Sequence, residues 1–317
     1  MLPKTQKQWV LNGSNGFDSL EFQTDAPITS IGDREVLVRF HAASLNFRDL
    51  IIAKGHYPFP AKDGAVPVAD GAGVVAAVGS HVSRFRVGDR VAGLFHQKHL
   101  AGPFDASYLH SSLGGSLDGT LREYGAFPEE GLVRAPTNLS LVEAASLPCA
   151  ALTAWGALYP DEGRALRPGD TILTEGTGGV STFAIMFAKA AGAKVIATTS
   201  SDEKAERLRE LGADHALTAL KTMGVISMVG SVASAASGED MSQAPTFLET
   251  VLSLCTVRGV TVGSRRQFEE MNRAIEENDI HPILDKRVFR LEHAREAYEY
   301  LWDQKHIGKV MVQIVDE

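Results

Sequence analysis

Between positions 176 and 181 the chain reads Gly176-Thr177-Gly178-Gly179-Val180-Ser181. An apolar β-type run, Thr171 to Glu175, leads into it, and a stretch of good helix formers follows to about Ala191. A turn bare of side chains lets backbone come close to a pyrophosphate. The helix behind it aims unpaired N–H groups and a partial positive charge at the phosphates. Gly176 and Gly178 fit the first two positions of a G-x-G-x-x-G pattern, Gly179 and Val180 follow them, and Ser181 stands at the third, still small enough for close helix–strand packing. Glycines also gather in tight connections that hold no ligand. Here a second strand, Lys194 to Thr198, follows about twenty residues on, as in a right-handed βαβ unit, and that context favours a dinucleotide site.

The end of that second strand bears on which dinucleotide binds. An acidic side chain there accepts hydrogen bonds from a free ribose 2′-hydroxyl and repels a 2′-phosphate. This chain places Thr198, Thr199, Ser200 and Ser201 there, with Lys204 a turn later. Hydroxyl donors and a cation suit a phosphate, so the expected cofactor is NADP, as NADPH. Two alternatives stay open: Ser200 or Ser201 only caps the next helix with Lys204 solvated, and Asp202 opposes the local charge.

The elements around this turn fall into two styles. The first ~135 residues are rich in glycine, proline and short strand-like runs such as 36–40, 73–78 and 90–94, without long helices, and 96–116 reads as loop. From Ser140 the period becomes helical: Ser140-Leu-Val-Glu143 is a capping box, a charged helix spans 202–211, and helices are expected near 267–278 and 292–304. Strands are expected at 225–229, 257–262 and 309–314. A length of 317 residues suggests two domains. A net charge of −8 gives no basic excess for nucleic acid or an anionic membrane. Two cysteines, Cys149 and Cys255, cannot build a disulfide framework or a four-cysteine zinc lobe, and no apolar run reaches membrane length. A cytoplasmic protein is expected.

Five segments occur in an ordered series: Ala43-Ser-Leu-Asn-Phe-Arg-Asp49, Asp70-Gly-Ala-Gly73, Val87-Gly-Asp-Arg-Val91, Leu147-Pro-Cys-Ala-Ala-Leu-Thr-Ala-Trp155 and the glycine turn itself. In this the chain resembles the medium-chain dehydrogenases/reductases, most closely their zinc-lacking, quinone-oxidoreductase-like branch, over nearly its whole length. The resemblance implies a GroES-like β-barrel catalytic domain at 1–138, completed by 279–317, around a Rossmann domain at 139–278, with the cofactor between them. It further implies a small-molecule substrate and a homodimer, for which the edge strand 257–262 is the candidate.

The resemblance also sets the chemistry. Zinc-dependent relatives carry ligands where this chain has Asn46, Ala69 and Cys149; one soft ligand of three is too few, so no metal is expected. His96, His99 and His110 read as surface histidines in a loop. Without a Lewis acid a carbonyl must be polarised by hydrogen bonds. The resemblance places Asn46 near the nicotinamide and a loop tyrosine in the cleft. Tyr57 is that candidate, able to donate a hydrogen bond or a proton, its bare alternative being a loop aromatic at the domain edge. Asp49 either orients Asn46 or pairs with Arg48. Thr153 is implied close to the cofactor.

One departure is large. After His215-Ala-Leu217 the family pattern runs through a helix, a strand and a second helix before the strand at 225. This chain has only Thr218 to Gly224, roughly forty residues short, where a parallel crossover takes about a dozen or more. Eight chain steps of ~3.3–3.6 Å reach about 28 Å, against roughly 21 Å needed to cross three strand spacings and return. The join is feasible if nearly extended, but about one βα segment of the Rossmann sheet is missing. Two functions remain in view: an NADPH-dependent reductase of quinones, enones or related activated carbonyls, and a non-catalytic member that keeps the fold, with or without dinucleotide binding.

Overall fold

The protein is represented by a computed structural model that describes residues 2–59, 61–199, 202–215, 225–228 and 256–315. Its N-terminal half is built from antiparallel strands. β1 (Thr5–Leu11) and β2 (Leu20–Pro27) form a hairpin. β3 (Glu35–Leu45) leads directly into α1 (Phe47–Ala53); β4 (Asp70–Val78), β5 (Arg90–Gly93), β6 (Tyr124–Pro128) and β7 (Leu132–Arg134) follow. In β3, Val36, Val38 and Phe40 alternate into one apolar cluster with Phe85, Phe95 and Phe127, the period of two that a pleated strand imposes.

The second half alternates helices with strands. α2 (Leu141–Ala144) is opened by the expected capping box, in which Ser140 and Glu143 bond each other's backbone N–H. α3 (Leu152–Leu158) precedes β8 (Thr171–Glu175), α4 (Gly179–Ala190), β9 (Lys194–Thr198) and α5 (Asp202–Glu210). β8 and β9 pair in parallel from Thr171–Lys194 to Glu175–Thr198, so the βαβ unit forms as read. α4 buries Phe183, Ile185 and Phe187, and the Phe187 ring meets Trp155 of α3 edge-on at 5.3 Å. β10 (Val225–Met228) and β11 (Thr256–Gly259) pair in parallel. The 257–262 strand is therefore shorter and starts one residue earlier, and Val229 lies outside the described residues. His215 continues the sheet by a bridge to Ile196. Ala216, Leu217 and the short link Thr218–Gly224 lie outside the described residues.

The C-terminal segment supplies α6 (Arg265–Glu277), β12 (Leu284–Arg290), α7 (Ala294–Trp302) and β13 (Lys309–Gln313). β13 returns to the first half and pairs antiparallel with β3, Val310 opposite Leu45 and Val312 opposite Ala43. One seven-stranded sheet results, in the order β12-β13-β3-β4-β5-β7 with β6 also on β3. The 96–116 segment is not all loop: a 3₁₀ turn, Ala106–Ser111, starts where the Asp105 carboxylate accepts from the Ser107 N–H at 2.8 Å. Among the described residues no helix is long and apolar enough to cross a membrane.

Candidate active site at the glycine turn and Lys309

The glycine turn opens α4. Gly176 sits at φ +79°, left-handed backbone that suits glycine, and its N–H donates to Thr198 O at 2.9 Å. A Cβ built at Gly176 or Gly178 would meet nothing within 4 Å, so both present bare backbone to open space. Gly179 has a different reason to be glycine: its Cβ would lie 2.7 Å from Lys309 Cδ and 3.1 Å from Ala150 Cβ. Val180 packs against the apolar core, and Ser181 Oγ donates to Glu175 O at 2.7 Å, fastening the helix start to the strand end. The first-turn N–H groups of α4 lack helical partners by geometry, which makes this end a fit for phosphate oxygens.

Gly178 bridges to Gly308, and the Gly308 N–H donates to Thr177 O at 3.2 Å. One residue on, Lys309 turns its ammonium into the interior, where its side chain is 3% exposed. Lys309 Nζ donates to Asn46 Oδ1 at 2.6 Å, to Leu45 O at 3.0 Å and to Asp70 Oδ2 at 3.2 Å. Burial lifts the Asp70 carboxyl above the usual carboxylate range, against the pull of the Lys309 charge. A buried charge pair holds only when its remaining hydrogen bonds are made, and here the ammonium spends all three of its hydrogens.

Asn46 caps α1 and bonds in two directions. Its N–H donates to Asp49 Oδ2 at 2.9 Å, while Asp49 Oδ1 takes Arg48 Nη1 at 3.2 Å, so Asp49 both orients Asn46 and pairs with Arg48. Burial pushes Asp49 up to about 6, with Arg48 pulling the other way. Tyr57 is half-buried in the loop after α1; its hydroxyl accepts from Arg48 Nε at 3.3 Å, and the guanidinium carbon stands 5.1 Å from its ring centroid. Cys149 is half-buried, yet desolvation, with Asp70 adding to it, pushes its thiol up to about 12.

The structure thus joins Asn46 to the glycine turn through Lys309, and Tyr57 to Asn46 through Arg48 and Asp49. Thr153 is buried on α3, the helix that packs on α4. Thr199 and Lys204 are half-buried at the far end of β9, and the Lys204 charge helps depress His306, after desolvation. Ser200 and Ser201 lie outside the described residues.

Two of the three loop histidines are not on the surface. His96 and His99 are 4% and 3% exposed, whereas His110 is exposed. Their rings pack against Phe95, Phe104 and Tyr108, with His99 stacked on Tyr108 at 5.0 Å. Each spends one ring nitrogen on a backbone carbonyl, of Tyr108 and Gly102 respectively. Desolvation, with Arg48 adding to it, drives His96 down to about 3, so it stays neutral. Among the described residues no three His, Cys, Asp or Glu side chains are grouped to hold a metal ion.

Sequence reasoning singled out neither Lys309 nor Asp70 as functional. Their signals were slight: a glycine before an otherwise apolar closing strand, and an acid opening Asp70-Gly-Ala-Gly73.

Comparison with known proteins is consistent with this geometry. Residues 32–137 match the alcohol dehydrogenase GroES-like domain, and 179–264 the zinc-binding dehydrogenase domain. The chain is 40% identical to the zinc-type alcohol dehydrogenase-like protein C1773.06c of Schizosaccharomyces pombe, over 95% of this chain and 96% of that one. It is 31% identical to the chloroplastic NADPH-dependent alkenal/one oxidoreductase of Arabidopsis thaliana, over 98% of this chain and 80% of that one. The crystal structure of a Sinorhizobium meliloti 1021 protein carrying the alcohol dehydrogenase name superposes with a TM-score of 0.88 at 32% identity, covering 99% of this chain and 100% of that one. With its glycine turn, its barrel-type sheet and relatives of this kind along its whole length, the chain belongs to the medium-chain dehydrogenase/reductase superfamily and is of an oxidoreductase family.

Proposed function

We propose that the protein is a zinc-independent oxidoreductase that uses NADPH to reduce a quinone, an enone or a related activated carbonyl. The observation that carries this reading is the junction of Gly178 with Gly308, because one residue later Lys309 holds Asn46 at 2.6 Å. A dinucleotide on the turn and a carbonyl compound beside Asn46 are thereby kept in one rigid frame, the positioning that hydride transfer needs. NADPH, when bound, supplies the hydride; the chain binds, orients and polarises.

The open faces of Gly176 and Gly178 fit a pyrophosphate. Thr199, Ser200, Ser201 and Lys204 supply hydroxyls and a cation for a 2′-phosphate, and Thr153, on the helix beside α4, stands close to the cofactor. The Arabidopsis relative's name supports both cofactor and substrate class. The donor set does not fit a catalytic zinc: Asn46 offers an amide and Ala69 a methyl group, which leaves Cys149 as one ligand where three are needed. Tyr57, whose hydroxyl accepts from Arg48 and keeps its own proton, is the proton donor in this scheme. We read the domains as dividing at 138/139 and 278/279, and the protein as a homodimer.

One observation favours a second reading, a non-catalytic member of the family. The alignment with the S. pombe relative spans 338 positions, more than the 317 residues of this chain, so the chain lacks residues that relative has. Titrating the protein with NADPH and with NADH while following nicotinamide fluorescence separates the readings. Tighter binding of NADPH is expected; binding of neither sinks the reductase, and tighter NADH sinks the cofactor assignment.

A further inference from the structure

The Arg48 guanidinium has five N–H hydrogens, and three are committed. Nε donates to Tyr57 Oη at 3.3 Å, while Nη1 donates to Asp49 Oδ1 at 3.2 Å and to Leu113 O at 3.0 Å. Nη2 is fully buried with no acceptor among the described residues. Leaving such a donor unmet costs about 1–3 kcal/mol, so a buried, unpaired charged donor calls for a reason. Two rings also pack on the fork: the Phe95 ring centroid lies 4.7 Å from its central carbon and the Tyr57 centroid 5.1 Å. An arginine held on three sides, with its last edge unused two residues from Asn46, is a preorganised donor.

Charge selects what it can take. Arg48 is balanced by Asp49 and Lys309 by Asp70, each pair at 3.2 Å, so the cluster is neutral as it stands. A carboxylate entering it would add an uncompensated buried anion. A neutral conjugated carbonyl adds none until hydride arrives. Hydride added at the β-carbon forms the new C–H bond and moves the π pair onto oxygen; a proton taken up at the α-carbon from the Tyr57 hydroxyl or solvent restores the carbonyl.

We propose that Arg48 binds the carbonyl oxygen of the substrate through its two free Nη2 hydrogens, stabilises the charge that oxygen gains, and so selects neutral conjugated carbonyls over carboxylates. The inference rests on the reductase reading above. Its test replaces Arg48→Met together with Asp49→Asn, which removes both charges and keeps an acceptor for the Asn46 N–H. A second variant, Arg48→Lys, keeps the charge and loses the fork. With cyclohexenone, kcat is expected to fall at least ~100-fold in both, while KM and the NADPH dissociation constant stay within about 3-fold. An equal loss in NADPH affinity, or unchanged kcat, overturns the proposal. An arm that needs no turnover uses 4-nitrophenol as an enolate mimic. Bound to the wild-type protein with NADP⁺, whose nicotinium ring brings the compensating charge that a carboxylate meeting NADPH would lack, it is expected to ionise at least about 1 pH unit below free nitrophenol, a shift absent in both variants. No shift in the wild type, or one that survives in the variants, also overturns it. If wild-type protein oxidises no nicotinamide with any enone, the reductase reading fails, and the nitrophenol titration still decides Arg48.

Discussion

Lys309 donates a 2.6 Å hydrogen bond to Asn46 although the two residues are 263 positions apart in the chain. The contact joins the closing strand to the N-cap of α1 and sits one residue from the bridge to the phosphate-type turn. Asp70 completes it, fully buried beside an ammonium that is 3% exposed.

Removing one member of that pair leaves the other as an unpaired buried charge. Lys309→Met is expected to cost about 3–5 kcal/mol and to lower Tm by on the order of 10 °C. Lys309→Met with Asp70→Asn should recover most of that loss. Thermal melts of the two variants check it, and equal losses in both would contradict the charge argument.

The three glycines of the turn separate packing from ligand approach. Gly178→Ala faces open space at φ −73°, so Tm should shift by no more than about 1 °C while NADPH affinity falls at least ~10-fold. Gly176→Ala adds a strain of about 1–2 kcal/mol from its φ of +79°. Gly179→Ala drives a methyl into the pinned Lys309 stem and should lower both stability and activity. Melting curves and nicotinamide fluorescence on the three variants check the order.

What was legible in the sequence was local. The β8–α4–β9 unit announces itself through an apolar run, glycines, helix formers and a second run within about thirty residues, so period and breakers sufficed. The Ser140 capping box was legible for the same reason. The Lys309–Asp70–Asn46 cluster was not, because a buried lysine reads as surface until tertiary pairing brings its partners to it. His96 and His99 misled in the same way: their polar type hid rings packed on Phe104 and Tyr108. The helix bounds differed by one or two residues, where caps such as Ser264 on α6 decide the first turn.

Asp49 sets a pH signature. Its folded pKa of about 6 lies above the ordinary 3.8, so the native state holds a proton that the unfolded chain has already lost between those values. The Asp49 contribution to stability is therefore fully present below pH 3.8 and is lost as pH rises through about 6. Relative to Asp49→Asn, the wild type should gain up to about 3 kcal/mol on going from pH 7 to pH 4. Urea unfolding of both proteins across that range measures it; parallel profiles would contradict it.

Cys149 should be a poor nucleophile. With its thiol up to about 12, almost no thiolate exists at pH 8. In a Cys255→Ser background, iodoacetamide should label Cys149 at least ~100-fold more slowly in native protein than in urea, with the native rate still rising above pH 9. A native rate that levels off near pH 8 would contradict the assignment.

The central claim is hydride transfer from NADPH without a metal. Its most direct measurement is the loss of 340 nm absorbance when EDTA-treated protein meets NADPH and cyclohexenone. The account predicts turnover that survives EDTA and a kcat/KM for NADPH above that for NADH. Turnover abolished by EDTA and restored by zinc, or none with either nicotinamide, would contradict it.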